Sequence, residues 1–227
     1  MRDGVAALGD RGWRTPIPYR HLEVRMSIEL SYAFMSYLLL WGFSWWGAIA
    51  QRWGEAESAH AASSVWLYVR RVALTVTSLI GVMVVGGESV TRYGWGISLW
   101  LLPALVFGLL LGQRNRGGFV PDSVTALLVA AFHTFATELY FRGYLFHHML
   151  GLIGWWAFLL SAVLYGLYYL TVHTVWISGP RGRVIAAVVF GLLGLTFAVA
   201  YQLTGSFFAA WLVHFGAVIR WGGKRGT

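Results

Sequence analysis

Residues 123–148 read SVTALLVAAFHTFATELYFRGYLFHH and hold a glutamate and an arginine, Glu138 and Arg142, within an otherwise apolar run. The run is long enough to cross a bilayer, which takes about 20 apolar residues in a helix. An ionised side chain in hydrocarbon costs roughly 2.5–3.5 kcal/mol on insertion scales, so such a pair marks a functional site by default. Four residues apart in a helix, the two side chains share a face. This stretch therefore predicts both a membrane helix and the position of its site.

The composition of the whole chain also predicts a membrane protein. Of its 227 residues, 58% are hydrophobic, 17% are aromatic and only 11% are charged, whereas soluble domains carry about 25% charged residues. The runs are continuous rather than alternating, which favours helices. The predicted fold is an all-α polytopic membrane bundle of about seven to eight transmembrane helices. The predicted spans lie near 30–50, 72–87, 93–112, 123–148, 152–177, 184–203 and 206–221.

We divide the chain into four parts. Residues 1–26 form a basic tail or surface helix without the apolar core of a signal peptide, and residues 27–118 hold the N-terminal transmembrane helices, with a polar loop over 51–64. Residues 119–222 hold a core of four membrane helices with nearly all of the intramembrane polar groups, and residues 223–227 form a basic C-terminal tail. We expect the chain to be integral to the cell membrane, with the lipid bilayer as a partner. The oligomeric state is left open.

The net charge of +8 is explained by membrane topology rather than by nucleic acid. No lysine-rich tract or nucleic-acid motif is present, so no nucleic acid partner is expected. With seven spans, the loops on one side carry most of the arginines, including Arg70, Arg71 and Arg114, and the positive-inside rule assigns that side to the cytoplasm. The arginines of the N-terminal tail then fall outside, which conflicts with the rule and leaves the orientation of the tail open. Cysteine is absent, which excludes disulfides and thiolate chemistry.

Polar residues on three predicted helices define the candidate site. On each of the fourth and fifth helices they recur at intervals of four residues and so share a helix face. Converging faces of this kind would enclose a polar cavity inside the bundle. The residues are His133, Thr134, Thr137, Glu138 and Arg142 on the fourth helix, Tyr165, Tyr169 and His173 on the fifth, and His214 on the seventh.

Three stretches resemble the CPBP family, also called Abi, which includes the type II CAAX prenyl endopeptidases. They are residues 137–146 (TELYFRGYLF), 161–169 (SAVLYGLYY) and 203–214 (LTGSFFAAWLVH). The family pattern is Glu-Glu-x-x-x-Arg on one helix, Phe-x-x-x-His on the next and a later His-x-x-x-Asn, and its order and spacing agree with this chain. The resemblance covers the part 119–222 and implies a membrane helix bundle related to intramembrane endopeptidases.

Three positions depart from the family pattern. The first Glu, which activates water in that family, is Thr137 here, the second-motif His is Tyr169, and the final Asn is Val218. Peptide hydrolysis needs a base that holds a water molecule and donors aimed at the developing oxyanion. Threonine does not titrate near neutral pH and valine cannot donate, so the usual protease mechanism is not expected.

The remaining polar residues suggest a rearranged site. The resemblance implies that Glu138 and Arg142 organise the site and that His214 helps to polarise a carbonyl group. Glu138 or His173 is the replacement base, although a neighbouring guanidinium makes a carboxylate a weaker base. The predicted catalytic residues are Glu138, Tyr169, His173 and His214, and the predicted site-organising residues are His133, Thr137 and Arg142.

No cofactor and no metal is expected. Three imidazoles, His133, His173 and His214, would make a valid zinc set, but the His-Glu-x-x-His signature is missing, as is a Gly-x-Ser-x-Gly elbow. Structural roles stay open for the same residues. Glu138 and Arg142 can serve as an ion pair that fixes helix register, and the histidines as hydrogen-bonded packing residues.

Two classes of function follow. The favoured one is an enzyme that acts on a membrane-partitioned substrate by acid–base chemistry in a buried Glu/Arg/His cavity. It would cyclise or isomerise a lipophilic small molecule, or hydrolyse a membrane-associated peptide by a rearranged mechanism. The alternative is a non-catalytic pseudo-protease scaffold, chaperone or immunity-type membrane factor. A transporter is weaker, because the few buried polar groups do not trace a path across the membrane.

Overall fold

A computed structural model describes the backbone of residues 19–53, 56–85, 93–115, 120–173 and 179–220. Side chains are described for 28–46, 68–85, 93–115, 120–171 and 179–220. Within these ranges every regular element is a helix, so the all-α fold class is confirmed. The two terminal tails predicted at 1–26 and 223–227 lie outside the described residues, except that residues 19–26 already belong to the first helix. The side chain of His173 also lies outside them.

Eight α-helices form seven continuous helical segments in the described chain, at the positions of the seven predicted apolar runs. Two π-helical turns extend or join them, Gly81–Val85 after α2 and Phe141–Phe146 between α4 and α5. The helices are α1 (Tyr19–Trp53), α2 (Ala56–Ile80), α3 (Leu101–Arg114), α4 (Val124–Tyr140), α5 (His147–Ile153), α6 (Trp156–His173), α7 (Gly179–Thr204) and α8 (Phe207–Val218).

Three of the described segments are long and apolar enough to cross a membrane, namely Tyr68–Val85, Val124–Ile153 and Gly179–Thr204. Three further helices are apolar but shorter, Leu101–Arg114, Trp156–Thr171 and Phe207–Val218. By length and composition, the structure therefore supports three of the seven predicted spans directly.

Two predictions about the N-terminal part are wrong. The expected polar loop over 51–64 is almost wholly helical, because α1 ends at Trp53 and α2 begins at Ala56. Arg70 and Arg71, expected in that connection, lie well inside α2 and are only 3% and 7% exposed. Alanine and glutamate, which enrich residues 51–64, are good helix formers, so polarity alone is a poor indicator of a loop here.

The helix α4 begins at the predicted position, and it is hydrogen-bonded to α8. Ser123 caps α4 by accepting a hydrogen bond from the Ala126 amide at 3.1 Å. The helical segment ends at Gly154, whose φ of 55° is in the left-handed region that favours glycine. On α8, the indole of Trp211 donates to the Thr134 hydroxyl at 3.2 Å. The Thr134 face of α4 therefore points towards α8.

Glycines allow α8 to pack backbone-to-backbone against α3. A Cβ atom added at Gly108 would lie 2.6 Å from the carbonyl oxygen of Val213, and one added at Gly216 would lie 2.5 Å from the carbonyl carbon of Gly108. Small residues at such contacts are what let membrane helices approach closely. This contact fixes the position of α8 and of the histidine that it carries.

Replacing Gly216 by Ala should destabilise the protein by about 1–3 kcal/mol, because the new methyl group overlaps backbone atoms that cannot move aside. Gly42→Ala in α1 is the matched control, since no heavy atom lies within 4 Å of the added Cβ. The control should be neutral or stabilising by up to about 1 kcal/mol through helix propensity. Denaturant unfolding in detergent, followed by tryptophan fluorescence, measures both. Equal free energies of unfolding for the two variants would contradict the close contact.

Candidate functional site

Glu138 on α4 and His214 on α8 face each other in the core. The carboxylate Oε1 lies 2.7 Å from the imidazole Nδ1, and the two residues are 0% and 5% exposed. A distance this short is typical of a charge-assisted hydrogen bond. Two predicted site residues, 76 positions apart in the chain, are thus in direct contact.

Arg142 occupies the second oxygen of the same carboxylate. Its Nη1 lies 3.2 Å from Glu138 Oε2, and neither side chain is exposed. Its Nη2 donates to the carbonyl oxygen of Gly194 on α7. Arg142 belongs to the π-helical turn Phe141–Phe146. Turns of this kind are rare in proteins, and those that occur are often found at functional sites. Glu138 is therefore held between one cation and one imidazole.

Tyr165 on α6 completes the arrangement. Its hydroxyl oxygen lies 3.4 Å from both Glu138 Oε1 and His214 Nδ1, at the long end of hydrogen-bond range. The guanidinium carbon of Arg142 lies 4.4 Å from the centre of its ring, a cation–π contact. Sequence analysis placed Tyr165 on the site's helix face but assigned it no role. The available signal was its position four residues before Tyr169.

Gly194 and Gly191 bring α7 against α6 beside the site. A Cβ atom added at Gly194 would lie 2.9 Å from Tyr165 Cβ, and one added at Gly191 would lie 3.2 Å from the Ala162 carbonyl oxygen. Close approach here puts the Gly194 carbonyl within reach of Arg142. Sequence analysis gave this carbonyl no role, because a backbone acceptor leaves no signature in side-chain patterns.

Thr137 and Tyr169, the two altered motif positions, lie beside the central pair. The Thr137 hydroxyl donates to the His133 carbonyl oxygen of its own helix at 3.0 Å, so its proton is already engaged. The Tyr169 ring lies 4.7 Å from the Tyr165 ring and 6.3 Å from the His214 ring, measured between centroids. Tyr169 thus forms part of the aromatic wall around the imidazole.

His133 does not join the group around Glu138. Its Nδ1 accepts a hydrogen bond from Arg71 Nε at 3.1 Å, which directs the ring towards α2. The side chain of His173 is outside the described residues. Among the side chains that are described, no three His, Asp or Glu residues are arranged to hold a metal ion.

The His214 ring is positioned on both its edge and its face. Phe197 stacks on it with the ring centroids 4.7 Å apart and the planes inclined by 17°. The hydrogen-bond contacts of the ring with described residues all involve Nδ1, which lies 2.7 Å from Glu138 Oε1 and 3.4 Å from the Tyr165 hydroxyl. With the proton on Nδ1 and donated to the carboxylate, Nε2 carries the lone pair.

Two apolar grooves of the described chain lie away from this group. One of about 600 Å³ lies between α3, α7 and α8, with Phe107, Leu195 and Val199 in its lining. Another of about 340 Å³ lies between α1 and α2. Neither is lined by Glu138 or His214. At the centre, the predicted polar residues contact one another directly.

The part of the chain that forms this site matches a known protein family. The family model described as type II CAAX prenyl endopeptidase Rce1-like matches residues 118–219. This segment is similar to the CPBP family. It spans α4 to α8 and so contains Glu138, Arg142, Tyr165 and His214. No curated protein and no solved structure matches the chain. The CPBP resemblance inferred from the sequence is confirmed, and with the three long apolar helices it makes the chain a CPBP-like integral membrane protein.

Replacing Arg142 by Met should destabilise the protein by about 3–5 kcal/mol, because it leaves the buried Glu138 carboxylate without its cation. Combining it with Glu138→Gln should recover part of that loss, because the unpaired charge is removed. Free energies of unfolding for the two single variants and the double variant form a cycle that measures the coupling. Arg114→Met, at an exposed helix end, is the control and should change little. Additive single effects would contradict a buried ion pair.

Proposed function

We propose that the chain is a membrane enzyme that carries out acid–base chemistry on a membrane-partitioned substrate, with His214 as the proton-transfer group. The proposal depends on one observation, the 2.7 Å contact between Glu138 Oε1 and His214 Nδ1. A carboxylate at one ring nitrogen fixes the tautomer and stabilises the imidazolium, and it leaves the other nitrogen to take or give a proton. Glu138 then orients the imidazole rather than acting as the base itself.

Arg142 and Tyr165 have supporting roles in this mechanism. Arg142 Nη1 lies 3.2 Å from the second carboxylate oxygen and stabilises the charge of Glu138 as an ion pair. The Tyr165 hydroxyl donates to Glu138 Oε1 at 3.4 Å and so stabilises the carboxylate that faces the ring. Buried, preoriented dipoles of this kind need little rearrangement during the reaction.

The altered motif positions favour a reaction other than standard proteolysis. Thr137 stands where the CPBP family has its water-activating Glu, and its hydroxyl bonds its own helix backbone. Cyclisation or isomerisation of a lipophilic molecule requires a positioned acid and base but no activated water. Hydrolysis of a membrane-associated peptide, with water held at His214 Nε2, is the other form that this chemistry can take.

The proposal includes a topology in the cell membrane. The seven helical segments supply the spans, and the basic helix ends at Arg114, Arg181, Arg183 and Arg220 face the cytoplasm under the positive-inside rule. Asn115 Nδ2 donates to the Ala217 carbonyl at 3.0 Å, which supports placing the ends of α3 and α8 on one side. The substrate would enter from the lipid, since the core helices are apolar on their exposed faces.

A non-catalytic scaffold is the second candidate, and the tight packing of the site favours it. Glu138 and Arg142 are not exposed at all, and Phe197 covers one face of the His214 ring. In that case the polar group only fixes the helices, and the protein binds a peptide or a partner helix. Conservative substitutions separate the two candidates, because a scaffold tolerates changes that leave the fold intact.

Glu138→Gln and His214→Gln should each reduce turnover by about 10²–10⁴-fold, the usual contribution of general acid–base catalysis. Mass spectrometry of lipid extracts and membrane peptides would compare cells that express the wild type with cells that express each variant. His147→Gln is the control, since His147 bonds Tyr201 at 2.9 Å and does not contact the central group.

Two measurements decide the outcome. Membrane fractions and size-exclusion profiles should show that all three variants accumulate as folded protein. If cells that express Glu138→Gln or His214→Gln form the same product as wild-type cells, and in the same amount, the catalytic role is refuted. If those variants also retain cellular function, the scaffold is the correct interpretation.

A further inference from the structure

We propose that Arg70 and Arg71 on α2 bind the phosphate group of an anionic amphiphile. Both residues lie outside the segment 118–219 that matches the CPBP family and outside the group around Glu138. They are 3% and 7% exposed, yet neither contacts a carboxylate in the part of the chain that the structure describes. Buried charges in proteins are normally paired, so two adjacent guanidinium groups without a carboxylate partner are suited to bind an anion.

Among the described residues, Arg70 most clearly lacks a negatively charged partner. Its Nε is fully enclosed and has no hydrogen-bond partner. The contact that the structure gives its guanidinium is with the ring of Tyr168, 5.9 Å from the centroid. An aromatic face attracts a cation but supplies neither a negative charge nor an in-plane acceptor. Arg70 is therefore a buried cation that no described carboxylate neutralises.

Arg71 adds a second charge beside the first. Its Nε donates to His133 Nδ1 at 3.1 Å, and its guanidinium lies 5.1 Å from the centre of the Tyr68 ring. A ring nitrogen that accepts a hydrogen bond carries no proton and no charge. The contact therefore orients the guanidinium without neutralising it. The fork geometry of guanidinium matches phosphate oxygens, and two forks match a phosphate group that carries two negative charges.

The surroundings of the pair identify the source of the phosphate. Arg70 and Arg71 lie well inside α2, and the side chains of Val69 and Val72 beside them are 42% and 52% exposed. An anion that reaches cations flanked by such an apolar surface must carry an apolar part, as anionic lipids do when they bind basic pockets between membrane helices. The expected ligand is thus an amphiphile with a phosphate monoester head group. Its binding requires no reaction at His214, so it is independent of the proposed function.

The test is binding of dioctanoyl phosphatidic acid to the purified full-length protein in a neutral detergent, measured by calorimetry. Arg70→Gln/Arg71→Gln should weaken binding by at least about tenfold, because charge-assisted phosphate contacts are lost. Arg181→Gln/Arg183→Gln removes the same charge from two exposed positions at a helix start and should keep the wild-type affinity. Equal losses in both double variants, or no loss in the first, would overturn the site.

Three further ligands distinguish the chemistry. Dioctanoyl phosphatidylcholine, octanoate and inorganic phosphate should all bind the wild type more weakly than phosphatidic acid does. Equal affinity for octanoate would show a carboxylate site, equal affinity for phosphatidylcholine would show binding by the chains alone, and equal affinity for inorganic phosphate would show a free-phosphate site. Each of these results contradicts an amphiphile phosphate.

A second variant covers the case in which the double Gln variant does not accumulate. Arg70→Lys/Arg71→Lys keeps both charges but removes the two forks. It should fold and should bind phosphatidic acid more weakly, with a smaller ligand-induced rise in melting temperature than the wild type shows. An unchanged affinity and an unchanged rise in this variant would overturn the guanidinium site.

Discussion

The structure depends on one buried carboxylate that has two partners. Glu138 gives one oxygen to His214 on α8 and the other to Arg142, which also reaches the Gly194 carbonyl on α7. A charge at this depth is tolerated only while its partners stay in place, because an unpaired ion in an apolar core is far costlier than a paired one. The same contacts that satisfy the charge therefore fix α4, α7 and α8 relative to one another. This interaction therefore links the fold to the site.

Close backbone contact makes that interaction possible. Gly108 and Gly216 allow α8 to pack directly against α3. Gly194 allows α7 to approach α6 so closely that its carbonyl oxygen accepts a hydrogen bond from the guanidinium of Arg142. The π-helical turn Phe141–Phe146 carries Arg142 at the point where α4 would otherwise continue regularly. Side chains with a Cβ at these glycine positions would push the helices apart and separate the acid from its base.

The site residues that the sequence predicts most reliably are the ionisable residues within apolar runs. Glu138, Arg142 and His214 are rare residue types in such a setting, so each stands out without knowledge of the fold. Tyr165 was placed on the site's helix face but given no role, because tyrosine is common in this chain and only packing shows which hydroxyl reaches the carboxylate. Arg71 was misplaced for a different reason. A polar helix start and a polar loop have similar composition, and the burial of α2 against α4 is a tertiary effect.

Polar groups are layered along α4, and the layering suggests how the two proposed sites relate. His133 meets Arg71 five residues before Glu138, which corresponds to about 7.5 Å along a helix axis. The cationic layer lies nearer the start of α4 and the carboxylate–imidazole pair lies deeper. α1 closes this side of the bundle, since Tyr37 donates to the Leu164 carbonyl of α6 at 2.8 Å. An amphiphile whose phosphate is held in the first layer therefore binds apart from the carboxylate–imidazole pair. The segment outside the CPBP match would then contribute a binding site of its own, beside the site of the CPBP segment.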